Sequence, residues 1–184
     1  MSSYPRLRRT DKSMSDSSVQ DMLVTGYSGH LATVGADGIP YSCPLLYVWL
    51  ENKVWLHNSV STGHLLKNIE KNPEACFSIA EAGQVFSYGR YECDTTIAYK
   101  SVIVFGNIEV IKQESGKVQF FEALMSKYSA PDSSRPKSYF PRLDGTTVYA
   151  MSVNRVTGKE TTLPALSDQW PKSDNTKSPN ARGA

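Results

Sequence analysis

The chain has 184 residues, 40% hydrophobic and 21% charged, with a formal net charge of +2. That length most simply makes one domain with its own core. The balance excludes any whole-protein argument for nucleic-acid binding, and no apolar window reaches the length that a membrane span needs. The first 21 residues carry charges and serines without an apolar h-region, so we expect no secretory leader. Three cysteines, Cys43, Cys76 and Cys93, form neither a metal pair nor a redox CxxC. They read as reduced thiols, which favours a cytoplasmic location.

The expected organisation is a basic N-terminal arm over 1–14, a folded domain over 15–163 and a disordered tail over 164–184. Arg6, Arg8 and Arg9 give the arm its charge. Such an arm is either a solvated terminus or a contact for phosphate or nucleic acid. Ser15 is a candidate N-cap for a helix to Thr25, with Val19, Met22 and Leu23 on one face. Three strands follow. His30 to Val34 is the first, and Gly35-Ala36-Asp37-Gly38 turns the chain. Ile39 to Leu50 is the second, interrupted by Pro40 and Pro44. Glu51-Asn52 turns into Lys53 to His57. Ser61 or Thr62 caps a helix from Gly63 to about Lys71, which Asn72-Pro73 ends.

Ala75 to Ala80 alternates at the strand period. Thr95 to Val110 holds a long strand signal in which Gly106 marks a bulge or close approach. Ser115 to Tyr128 is an amphipathic helix with Val118, Phe121, Leu124, Met125 and Tyr128 on one face. Thr146 to Val156 is the last strand, followed by a turn at Thr157-Gly158. About six sequential strands and three short helices point to a small antiparallel barrel rather than a parallel α/β fold.

Chemistry concentrates at His57-Asn58-Ser59 and Thr62-Gly63-His64. A helix N-terminus exposes unpaired N–H groups and partial positive charge, and the neighbouring hydroxyls and amide are donors for a phosphate. The same residues also suit an ordinary capped helix after a polar loop. The three histidines match no zinc spacing. Gly-x-Ser-x-Gly, Walker and GxGxxG patterns are absent. The strand aromatics Tyr41, Tyr47, Trp49 and Trp55 suit a core or a dimer interface better than base stacking, and no nucleic-acid partner is expected.

In this order the segments resemble a known family. Arg8 to Lys12, Gly29 to Tyr41, Pro44 to Val48, His57 with Gly63-His64, Asn72-Pro73, Tyr99 to Gly106 and Thr157 to Glu160 resemble the flavin-binding split-barrel superfamily of pyridoxamine 5'-phosphate oxidase. Within it the resemblance is to the nitroimidazole-resistance branch. It implies a six-stranded antiparallel split barrel, mainly β with peripheral helices, forming a homodimer with FMN at the subunit interface. The flavin ring would lie near Ala32, Thr33, Leu45, Leu46 and Tyr47. The phosphate would sit near His57, Asn58, Ser59, Gly63 and His64, with Ser101 and Val102 approaching the flavin. His57 and Tyr99 are the candidate proton donor and substrate hydrogen-bonding group. The implied activity is flavin-dependent reduction of a small electron-poor acceptor such as a nitro-aromatic. The rival reading is a split barrel that binds flavin, a flavin-like cofactor or haem without that turnover. One position departs from the family, which commonly carries lysine after the Gly-His pair, where this chain has Leu65. A C-terminus without an arginine-rich ending disfavours pyridoxamine phosphate oxidation.

Overall fold

A computed structural model describes residues 4–59, 63–88, 91, 93–129, 134 and 136–165. Seven strands form one antiparallel sheet. In chain order these are β1 (Gly29–Val34), β2 (Pro40–Leu45), β3 (Tyr47–Leu50), β4 (Lys53–Ser59), β5 (Glu74–Ser87), β6 (Thr95–Ile111) and β7 (Thr146–Thr161). Three α-helices accompany them: α1 (Asp16–Thr25), α2 (His64–Lys71) and α3 (Glu114–Tyr128). The spatial order is β2-β1-β5-β6-β7-β4-β3.

This order carries the main correction to the sequence reading. The run 39–50, expected as one strand, is two strands that lie at opposite edges of the sheet. Only Leu46 separates them. Consecutive Cα atoms are about 3.8 Å apart, so both edges must meet at Leu46 and the sheet must curl. The result is a barrel joined by the chain but not by a hydrogen-bonded ladder, with seven strands where six were expected. Pro40 and Pro44 do not break the strand. They lie in β2, an edge strand that pairs only with β1, where a missing N–H costs nothing.

The hairpin turns follow local chemistry. Glu51 (φ 53°) and Asn52 (φ 58°) both adopt the left-handed region, as the two-residue turn between β3 and β4 demands. Ser15 caps α1, its side chain accepting from the Ser18 N–H. β5 is longer than its sequence signal, whereas β6 follows the expected run closely, and beyond Tyr99 the two pair only with each other as a hairpin arm.

Two clusters hold the sheet. Leu31, Tyr47, Leu56, Phe77, Val102, Val104, Tyr149 and Met151 fill the barrel interior. Val48, Trp55, Phe120, Leu124, Val148 and Ala150 form a second layer between the sheet and α3. Phe120 is fully buried while Met125 is exposed, so the buried face of α3 is rotated from the predicted one. Lys127 takes a half-buried position on it.

Gly106 marks the register shift between β6 and β7. A Cβ there would overlap the Ser152 carbonyl, so the expected bulge and close approach coincide. Thr157-Gly158 does not turn. Gly158 pairs with Val102 inside β7, and a side chain there would collide with Val19 of α1. The glycine therefore serves helix packing. The N-terminal arm continues the sheet at this end: Ser13 bridges to Lys159, and the Met14 N–H donates to the Gly158 carbonyl at 3.1 Å. Among the described residues no helix is long and apolar enough to cross a membrane.

Candidate functional site

β4 carries His57, Asn58 and Ser59 to the sheet end, where they pair with Val148, Thr147 and Thr146 of β7. The chain then enters α2, whose N-cap is Gly63, with no side-chain cap. Ser61 and Thr62, expected as caps, lie outside the described residues. Side chains alternate across β4, so His57 and Asn58 face opposite ways. The Asn58 Oδ1 accepts from the Tyr149 hydroxyl at 3.1 Å, and Tyr149 is fully buried in the barrel. Ser59 is exposed, as is His64. The His64 ring lies 5.8 Å from that of Tyr41.

A first turn that no described side chain caps, beside an exposed serine and a glycine without a Cβ, fits a phosphate. Leu65 adds nothing to it electrostatically, because it is buried in the core at 4% exposure. The adjacent helical turn is instead fixed by Asn68, whose Nδ2 donates to the Thr33 Oγ1 at 3.1 Å. Both residues are buried. The Thr33 hydroxyl is thus engaged by α2, which staples that helix to β1.

The proposed ring floor is a backbone feature. Ala32 is half-buried between Ser42 and Cys76. Leu45 is half-buried and Leu46 exposed. The Tyr47 side chain points into the core, its hydroxyl donating to the Leu23 carbonyl at 2.9 Å. Burial, with smaller contributions from Tyr128 and Glu81, pushes this phenol well above its usual pKa. The Tyr47 backbone is held by α3. The Tyr128 hydroxyl accepts from the Tyr47 N–H at 3.3 Å. Its single proton is shared between the carbonyls of Tyr27 at 2.6 Å and Tyr47 at 2.8 Å. At the split, one phenol therefore bonds backbone groups that a neighbouring strand would otherwise satisfy. Sequence reading put Tyr128 on the helix face but could not assign this contact.

The two catalytic candidates do not come together within one chain. The His57 ring packs under α3, 5.3 Å from Phe120 and 5.4 Å from Phe121. Its buried Nδ1 has no hydrogen-bond partner, and burial lowers its pKa, so it is neutral at neutral pH. Tyr99 faces Thr161, whereas His57 faces Val148, on the same strand β7. These registers are 13 residues apart, roughly 40 Å along an extended strand at about 3.3 Å per residue. Ser101 pairs with Lys159 on the Tyr99 side. Its Oγ donates to the Lys159 carbonyl at 3.4 Å. The Val102 side chain is fully buried, so only its backbone is available to a ligand. One copy thus divides the predicted residues between a β4–α2 corner and a β6–β7 surface.

Tyr99 sits in a basic setting. Desolvation raises its pKa, but hydrogen bonding from Lys159 and Thr161, with the charges of Lys159 and Lys12, brings it below the usual value. Next to it runs an open cleft of about 350 Å³ lined by Gly83, Ala98, Lys100, Glu160 and Leu163 among others. Among the described residues no group of three His, Cys, Asp or Glu side chains is placed to hold a metal.

Comparison with known proteins then settles the family. A family model described as pyridoxamine 5'-phosphate oxidase matches residues 15–160. The chain belongs to the pyridoxamine 5'-phosphate oxidase family. Solved structures of similar fold include flavocytochrome Anf3 from Azotobacter vinelandii. It has a TM-score of 0.73 at 19% identity, covering 89% of this chain and 77% of that one. A FAD-binding protein from Mesorhizobium loti has a TM-score of 0.60 at 23% identity, covering 82% and 98%. A Bacteroides thetaiotaomicron protein named for 5-nitroimidazole antibiotic resistance has a TM-score of 0.66 at 16% identity, covering 79% and 84%. At these identities the likeness is one of fold: an open, mainly β split barrel. No curated protein matches the chain.

Proposed function

We propose that this protein is an FMN-dependent oxidoreductase that reduces a small electron-poor acceptor, such as a nitro-aromatic. The observation that carries the reading is the α2 N-terminus at Gly63, which no side chain caps among the described residues, beside Ser59, in a chain of this family. The flavin-binding names of similar folds support it. The α2 N–H groups and Ser59 hold the phosphate. The backbone of Ala32 and of Leu45 to Tyr47 forms the floor for the ring. Bound FMN supplies the hydride and electron chemistry.

Two copies are needed to complete the site, because His57 and Ser101 lie far apart along β7. The homodimer places Ser101, Val102 and Tyr99 of one copy near the β4–α2 corner of the other. Half-exposed Val34 and Ile103 on the outer surfaces of β1 and β6 suit such an interface. Tyr99 hydrogen-bonds the bound acceptor, while neutral His57 shapes the apolar wall under α3. The free thiols fit a cytoplasmic setting.

A second reading is a split barrel that holds flavin, a flavin-like cofactor or haem without turnover. Buried Leu65 in place of the family lysine favours it. The absorbance spectrum of purified protein, with FMN titration if it is colourless, tests both. About one FMN per chain, with turnover of a nitro-aromatic by the reduced flavoprotein, supports the oxidoreductase. FMN without turnover, or a Soret band, supports the binder. No binding at millimolar FMN removes the first reading.

A further inference from the structure

We propose that Lys12, Tyr99, Lys159 and Thr161 form a binding site for the phosphate group of a small molecule, distinct from the α2 corner of the same chain. Three remote segments build it. The Lys12 Nζ, from the N-terminal arm, donates to the Thr161 Oγ1 at 2.9 Å. Thr161 faces Tyr99 across the β6–β7 ladder. The Lys159 Nζ lies 5.4 Å from the centre of the Tyr99 ring. Tyr99, Ser101, Lys159 and Thr161 share one sheet face by the strand alternation. Two ammonium groups therefore meet a phenol and two hydroxyls on one surface.

Charge accounting points to an anion. Among the described residues neither Lys12 nor Lys159 forms an ion pair. A third cation nearby, Arg9, is already engaged by Asp11 at 2.6 Å. Glu81 and Glu160 line the adjoining cleft, but they belong to the register row of Lys100, which alternates with the row of Tyr99 and Thr161. The carboxylate nearest Lys12, Asp11, is committed to Arg9 through both oxygens, and gathered ammonium groups favour an anion that joins them. Lysine and hydroxyl donors are the groups that receive phosphate oxygens. The drop in the Tyr99 pKa reports the same positive environment. The small Ala80 and Ala82 on neighbouring β5 are exposed and leave room above the sheet for a small ligand. The site shares Tyr99 with the proposed acceptor site, but inorganic phosphate tests it without flavin.

Inorganic phosphate, titrated into the full chain and followed by 31P NMR, tests it. We expect saturable binding that weakens roughly tenfold for Lys12→Ala or Lys159→Ala, in line with one charge-assisted hydrogen bond. Both lysines are only half-buried, so thermal melts should show that the variants stay folded. Absence of saturable binding, or equal binding by the double variant, overturns the proposal. FMN and riboflavin titrations of the double variant identify the source of the phosphate. A loss for FMN but not riboflavin would place the flavin's own phosphate at these lysines and overturn a second, distinct site. Unchanged affinity for both, with inorganic phosphate binding lost, assigns it to a second phosphorylated molecule.

Discussion

Removing one oxygen at position 128 tests how the open barrel is held. Tyr128→Phe keeps the ring, and with it the edge contact to Tyr27, whose ring centre lies 5.6 Å away. It deletes the acceptor for the Tyr47 N–H and the donor shared by the Tyr27 and Tyr47 carbonyls. Leaving a buried backbone group unpaired costs about 1–3 kcal/mol. The Tyr47 bonds are only part-buried, so water offsets some of this, and we expect a net loss of about 2 kcal/mol. With a urea slope of about 2 kcal/mol/M, the midpoint should fall by about 1 M without a change in slope. The Tyr47 amide should lose hydrogen-exchange protection more than the amides of β6. A midpoint shift below about 0.25 M, corresponding to ~0.5 kcal/mol, or unchanged Tyr47 protection, would refute the view that this phenol replaces a missing strand.

Two further predictions concern buried bases. Burial lowers the His57 pKa below its ordinary 6.5, so the unfolded chain takes up a proton before the folded one does. The associated stability is complete above pH 6.5 and falls as pH drops from there through the lowered folded value. Urea midpoints should follow that slope in the parent and lose it in His57→Leu. Lys127 is depressed from 10.5 to about 8 by burial, so below pH 8 the folded protein carries a charge that its surroundings penalise. That difference, converted at about 1.36 kcal/mol per pH unit, comes to slightly more than ~3 kcal/mol. Screening by nearby solvent and the Tyr47 ring, 3.9 Å from the Nζ, reduce it to about 1 kcal/mol. Lys127→Met should therefore melt a few degrees higher at pH 7. The gain should shrink as pH rises from 8 to 10.5, and a lower melting point at pH 7 would contradict this balance.

Much of the fold was legible because local chemistry and tertiary structure agree. Ser15 caps the expected helix, Asn72-Pro73 ends the next one, and Gly106 marks a real close approach. The misreadings have physical reasons. Leu46 is an apolar residue inside an apolar run, so nothing local announces that the chain changes sheet edges there. Gly158 looks like a turn residue, yet its lack of a Cβ answers to Val19, more than a hundred positions away. The α3 face was placed by period, but Phe120 is fully buried and Lys127 half-buried, so the helix is rotated by about one residue from that face. At the site, the start of α2 after Gly63 could be located from sequence, while its expected caps, Ser61 and Thr62, lie outside the described residues. The separation of His57 from Tyr99 could not, since it depends on how far apart along β7 their partners fall.

β7 has a consequence for the order of folding. It pairs with β6 along one side and β4 along the other, yet it is the last strand to be synthesised. Until Thr146 to Ser152 emerge, the β3–β4 hairpin has no strand beside its β4 edge. The sheet therefore closes late, through contacts between segments about ninety residues apart, a topology that folds slowly. A nascent chain that stalls before residue 146 would display an unpaired β4 edge bearing Trp55 and Leu56, which is a template for association with other chains.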